Sequence, residues 1–241
     1  MPTNRDEEIL KHIGRYGLTL RVVLEHMFFD GREKACDAVI NRLVAAGLIN
    51  SREGLPGGLN YYQICAAQAR NQDVPENRCD PKKSRGVREA LQVLWFCCMT
   101  KHNRLRVDGR QIHKQFGRGK GLGKPHCRET FGETRVLYRI YTPGPGSRDD
   151  YLIKVLRRDW AQVQQHPVLG EWSRAGSYRF AVLSEVSHRK EKLRQVAWGD
   201  DGPRPQIELV PGLTSLHRAV KEFKNTHPTA WYETKKRSIA Q

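Results

Sequence analysis

No apolar stretch of this 241-residue chain approaches the roughly 18 residues that a membrane-spanning helix needs. The first eight residues, MPTNRDEE, carry no signal-peptide core, so a cytoplasmic protein with no membrane partner is expected. Acids are scarce beside bases: 26 Asp and Glu stand against 42 Lys and Arg, a formal net charge of +16. Such an excess favours a polyanionic partner and makes affinity for it strongly salt-dependent. Anionic membrane is the competing polyanion, but no long basic amphipathic helix stands out. None of the six cysteines (Cys36, Cys65, Cys79, Cys97, Cys98 and Cys127) forms a C-x-x-C pair, which leaves buried small hydrophobes or free thiols in a reducing compartment. A zinc site drawn from Cys79, His113, His126 and Cys127 would lack paired ligand spacing. No G-x-S-x-G string is present, and the nine histidines have no spacing that specifies a base or a ligand. No internal repeat is visible, and no cofactor is expected.

Residues 6–64 carry the most informative pattern, that of a winged helix-turn-helix. Asp6 can N-cap a first helix with Ile9, Leu10 and Ile13 inward, closed by Gly14 and Gly17. Thr19 can cap a second helix carrying Val23, Leu24 and Met27. After Asp30-Gly31, a third helix is predicted from about Arg32 to Ala46, stopped by Gly47, with Cys36, Ile40 and Leu43 inward and Lys34, Asp37, Ala38 and Asn41 outward. Leu48-Ile49 and Tyr61 to Ile64 fit two strands joined by a wing, Gly54-Leu55-Pro56-Gly57-Gly58. Such a third helix can enter the major groove. Asn41 could then read adenine, Arg32 or Lys34 could read guanine or hold a phosphate, Ala38 and Arg42 complete the face, and Arg52 at the wing base could reach the adjacent backbone or minor groove. Winged helices also serve as protein-binding adaptors; the basic composition favours duplex DNA. Asp37 opposes that use, so contact is expected to concentrate at the helix N-terminus.

The length allows one large or two small domains, and a hydrophobic fraction of 38% gives an adequate core. The division expected is a winged helix over 1–66, a linker over 67–84, an α/β domain over 85–226 and a basic tail over 227–241. A helix from Arg85 to about His102 is apolar all round in its rear half and wants burial from more than one side. Asp108 to Phe116 suggests a short helix leading into Gly117-Arg118-Gly119-Lys120-Gly121-Leu122-Gly123-Lys124. That loop is no Walker A motif, because Arg118 and Pro125 occupy the places of its first glycine and its Ser or Thr. Arg118, Lys120 and Lys124 are instead expected to lie along phosphates. Beyond it, Val136–Thr142 reads as a strand with Tyr151–Leu156 as its antiparallel partner. A helix with Trp160 and Val163, a helical piece at Trp172, a strand at Tyr178–Leu183, a helix at Ser187–Ala197, a strand at Ile207–Val210 and a last helix with Leu213, Leu216, Val220 and Phe223 follow. The fold class is α+β: a winged helix followed by a small mixed-sheet α/β domain.

On Ile9 to Ile64, and on Leu137 to Ile140 through Tyr178 to Leu183 to Ile207 to Val210, the chain resembles the replication-relaxation family of bacterial plasmids and other mobile elements. The resemblance implies a winged helix joined to a domain similar to a restriction-endonuclease core. Such nucleases hold magnesium with an Asp on one strand and Glu-x-Lys on its hairpin partner. Here the partner reads Leu152-Ile153-Lys154, with leucine in place of the essential acid. A metal site would need a rearranged set from Asp149, Asp150, Glu171 and Glu185, with Lys154. The expected function is therefore sequence-specific binding of double-stranded DNA without catalysis, in transcription regulation or in control of replication or transfer. A homodimer would read palindromic sites.

Overall fold

The computed structural model describes residues 3–72, 74–75, 78–117, 122 and 124–226. They form two compact units: residues up to Met99 together with those from Pro211 onward, and Thr100–Val210. Among the described residues no helix is long and apolar enough to cross a membrane.

The first unit opens with α1 (Asn4–Tyr16), whose N-cap is Thr3 rather than Asp6. Asp6 is the third residue of the helix, its carboxylate accepting from the Thr3 backbone N–H at 2.8 Å while Thr3 caps in return. Ile9, Leu10 and Ile13 are buried as expected, and Gly17 ends the helix at φ 76°. Thr19, expected to cap the second helix, lies instead in a short strand β1 (Thr19–Leu20), fully buried beside the His12 ring. The helix α2 (Arg21–Phe28) starts directly from it with no side-chain cap. Asp30 and Gly31 turn the chain at positive φ into α3 (Glu33–Ala45), where Cys36, Ile40 and Leu43 face inward. The strands β2 (Ile49–Leu55) and β3 (Leu59–Ile64) follow, and the antiparallel sheet has the order β1-β3-β2. Gly54 and Leu55, expected in the hairpin tip, belong to β2 because the Leu55 side chain is buried; the tip itself is the Pro56–Gly58 turn.

The expected linker is anchored. It contains α4 (Ala66–Asn71), and the two Gln63 amide hydrogens are shared among the carbonyls of Gly17, Arg78 and Asp80, while Arg78 donates to those of Gly14 and Arg15. Each bond satisfies a carbonyl at the end of α1 or in the segment before α5 (Ser84–Cys98). That helix, expected to begin the second domain, groups with the first unit.

The second unit is a five-stranded mixed sheet. Its elements are β4 (Arg104–Val107), α6 (Gly109–Phe116), β5 (His126–Phe131), β6 (Thr134–Tyr141), α7 (Asp149–Gln165), α8 (Pro167–Arg174), β7 (Tyr178–Ser184), α9 (Ser187–Arg194) and β8 (Gln206–Leu209). The order is β4-β5-β6-β7-β8, antiparallel through β6 and parallel from β6 to β8. The short helix expected over Asp108 to Phe116 is α6, with Asp108 as its N-cap. Tyr151–Leu156, expected as a strand, lies within α7. Leu152, Leu156, Asp159 and Val163 are its buried residues, at i, i+4, i+7 and i+11, and the helical period over 17 residues outweighs the β-like composition of six. Leu152, Leu156 and Val163 pack with Leu137, Tyr141 and Phe180 of the sheet. The chain returns to the first unit through α10 (Leu216–Thr226), the helix expected to close the α/β domain.

Candidate nucleic-acid interface

The outer face of α3 is built by the burial of its inner one. With Cys36, Ile40 and Leu43 fixed in the core, helical geometry turns Lys34, Ala38 and Asn41 outward, and all three are exposed. Neither Lys34 nor Asn41 makes a side-chain hydrogen bond or ion pair with a described residue. Arg32, the exposed residue before the helix, donates from Nε to the Phe29 carbonyl and lies 3.7 Å from Asp30.

Two acids flank this face, and each is met by a cation. The Arg21 guanidinium holds Asp37 through two bonds of 2.5 and 3.0 Å, and also reaches Glu33 and Glu25 at 3.4 Å. Lys224 of α10 lies 2.5 Å from Glu33 and 3.1 Å from Glu25. The bond from Lys224 holds the Glu33 carboxyl below the usual range, and the bond from Arg21 does the same for Asp37. Asp37 is thus the anchor of a forked arginine contact, and its charge is offset locally.

Arg42 is turned to one side of the face, 2.6 Å from the buried Asp6 carboxylate. Burial opposes ionisation of Asp6, but hydrogen bonds from the Thr3 backbone and Arg42 outweigh it and lower its pKa. Arg52 is half-buried on β2 opposite Tyr61. Lys124 is exposed before β5, whereas Arg118 and Lys120 lie outside the described residues.

The acids considered for nuclease chemistry do not assemble into a metal site. Asp149 accepts from Arg189 at 2.6 Å, and Arg189 also donates to the carbonyls of Gly144 and Ser147, so the pair fastens the turn before α7 to α9. Asp150 lies 3.4 Å from Lys192. Lys154 belongs to α7, not to a hairpin strand, which removes the expected Glu-x-Lys partner geometry. Glu171 is exposed on α8 and Glu185 is half-buried after β7. Among the described residues no group of three or more His, Cys, Asp or Glu side chains could hold a metal ion. The zinc candidates Cys79, His113, His126 and Cys127 are therefore not brought together. His126 is buried against the Lys124 carbonyl and the Tyr178 hydroxyl, at 2.8 and 3.1 Å, and desolvation pulls its pKa down to about 4. The neutral ring donates from Nδ1 to the carbonyl, leaving Nε2 to accept from Tyr178.

Two buried ion-pair networks in the second unit have no counterpart in the sequence reading. On one face of the sheet, Arg104 joins Glu129 at 3.1 Å and holds Glu208 by bonds of 2.9 and 2.6 Å, while His102 Nδ1 lies 2.6 Å from Glu129. On the other, Arg139 and the Tyr141 hydroxyl both donate to Asp159 Oδ2, at 2.6 and 3.0 Å. The signal available was register: Arg104 stands directly across from Glu129. In both networks arginines occupy the carboxylates, an arrangement that holds strands and helices together and leaves no acid open for a substrate. No family model, no curated protein and no solved structure matches the chain.

Proposed function

We propose that α1 to β3 form a winged helix-turn-helix with α3 as its groove-reading helix. The chain is then a sequence-specific double-stranded DNA-binding protein of the replication-relaxation type, acting in transcription regulation or in control of replication or transfer on a bacterial mobile element. One observation carries the reading. The outward face of α3 offers Lys34 and Asn41 without partners among the described residues, and both acids beside it are neutralised by Arg21 and Lys224. A lysine and an asparagine spaced i, i+7 on one helix face suit phosphate or guanine and adenine respectively. The Pro56–Gly58 tip serves as the wing. The mixed sheet of the second unit would supply dimer contacts and further phosphate contacts.

Selection of bound fragments from random duplexes, followed by gel shifts across a salt series, tests this. Lys34→Ala and Asn41→Ala each should weaken the selected site about tenfold or more, with little change on unrelated DNA. Lys124→Ala and Lys120→Ala should lower affinity evenly on all sequences and flatten the salt slope. Absence of duplex binding even at low salt removes the proposal in favour of a protein-binding adaptor.

A further inference from the structure

In the first unit, α10 packs against the Pro56–Gly58 turn and borders a groove of about 420 Å³ that Leu20 of β1 also lines. Close approach depends on glycine at the turn: Gly57 has φ 76°, and a Cβ there would come within 2.7 Å of His217 Cβ. The walls are Leu20, Val22, Leu59, Tyr62 and Val220. Every charged side chain lining the groove is a cation: Arg21, Lys221 and Lys224, with His217 and Asn60 as further polar groups.

We propose that this groove binds a small amphipathic anion, an apolar body carrying one carboxylate or sulfonate. The volume lies within the about 300–1,000 Å³ of small-molecule sites, and such sites combine apolar walls with a few fixed polar groups. Arg21 and Lys224 are held in place by Asp37, Glu33 and Glu25, none of which lines the groove. Their charges are taken up by those three acids, and they fix the geometry of the wall before a ligand arrives. Lys221 precedes Lys224 by three residues on the same helix, is exposed and has no ion-pair partner among the described residues, so it supplies the uncompensated charge for the head group. The site stands whether or not α3 reads DNA.

Anilinonaphthalene sulfonate, an aromatic anion whose fluorescence rises in apolar surroundings, is the probe to titrate into the full chain. One saturable site is expected, displaced by naphthoate and decanoate but not by inorganic phosphate or neutral naphthalene methanol. Lys221→Glu, on an exposed position, should weaken binding about tenfold while leaving the circular dichroism spectrum and melting temperature unchanged. Val220→Trp should fill the groove and abolish binding. The inference is overturned if no saturable binding occurs, if Lys221→Glu binds the probe as the parent does, or if phosphate or the neutral alcohol displaces the probe as well as naphthoate.

Discussion

Arginine meets carboxylate in both units, under opposite conditions. Beside α3, Arg21 and its acids are partly open to water, with 32% of the Arg21 side chain and 47% of the Asp37 side chain exposed. In the second unit Arg139 and Asp159 are almost wholly enclosed, at 2% and 3%. Water screens the first network, so its contribution to stability is small and its main effect is on the charge presented by a surface. The second network has no water to fall back on. Removing Asp159 strands the Arg139 charge, whereas Asp159 without Arg139 would keep Arg158 at 3.0 Å, and the intact pair need not be more stable than apolar packing would be. In a chain of +16, the same side chain thus shapes a face in one place and secures a core in another.

Asp159→Ala should break the contrast most visibly. It strands Arg139 and takes the acceptor from the Tyr141 hydroxyl, and urea denaturation should show a loss of about 3–5 kcal/mol. A loss below about 1 kcal/mol would put this pair in the same class as the surface network.

A second test uses pH. His126 has a folded pKa of about 4 against an ordinary value of 6.5, because burial disfavours its charged form. As pH falls, the unfolded chain takes up the proton first. Stability is therefore full above about pH 6.5 and declines toward pH 4, by a total on the order of 3 kcal/mol. His126→Gln should flatten that part of the urea midpoint profile, and an unchanged profile would show that the ring is not desolvated in the native state.

The smallest effect on stability belongs to the exposed network. Arg21→Ala should cost no more than about 1 kcal/mol. By uncovering Asp37 and part of the charge on Glu33, it should still weaken duplex binding about tenfold at low salt, and less as salt rises. Equal losses at all salt concentrations would mean that Arg21 acts through packing instead of charge.

What was legible in the sequence follows from how local each signal is. The inward row of α3 and the strand β7 can be read from spacing and composition, since both are settled by which residues must leave water. The strand β5 was not legible, because His126 and Glu129 look like surface residues until Tyr178 and Arg104 arrive from distant positions to satisfy them. Tyr151 to Leu156 misleads because its alternating β-favouring residues, Tyr151, Ile153 and Val155, belong to a longer helical row. For the candidate site, Lys34, Ala38 and Asn41 were readable from the helix period. The forked hold of Arg21 on Asp37 was not, nor was the arrival of Lys224, because both depend on tertiary approach across 16 and 191 residues respectively.

The placement of α10 bears on the order in which the molecule can be made. Leu216 and Phe223 are buried in a unit whose other helices and strands leave the ribosome more than a hundred residues earlier. A nascent chain that has completed α3 still lacks Lys224, so Glu33 waits without its closest cation while the 191 residues that separate them are made. Premature termination anywhere within the second unit would therefore release a fragment in which Arg21 alone answers Glu25, Glu33 and Asp37, a face less suited to a polyanion than the one that Lys224 completes.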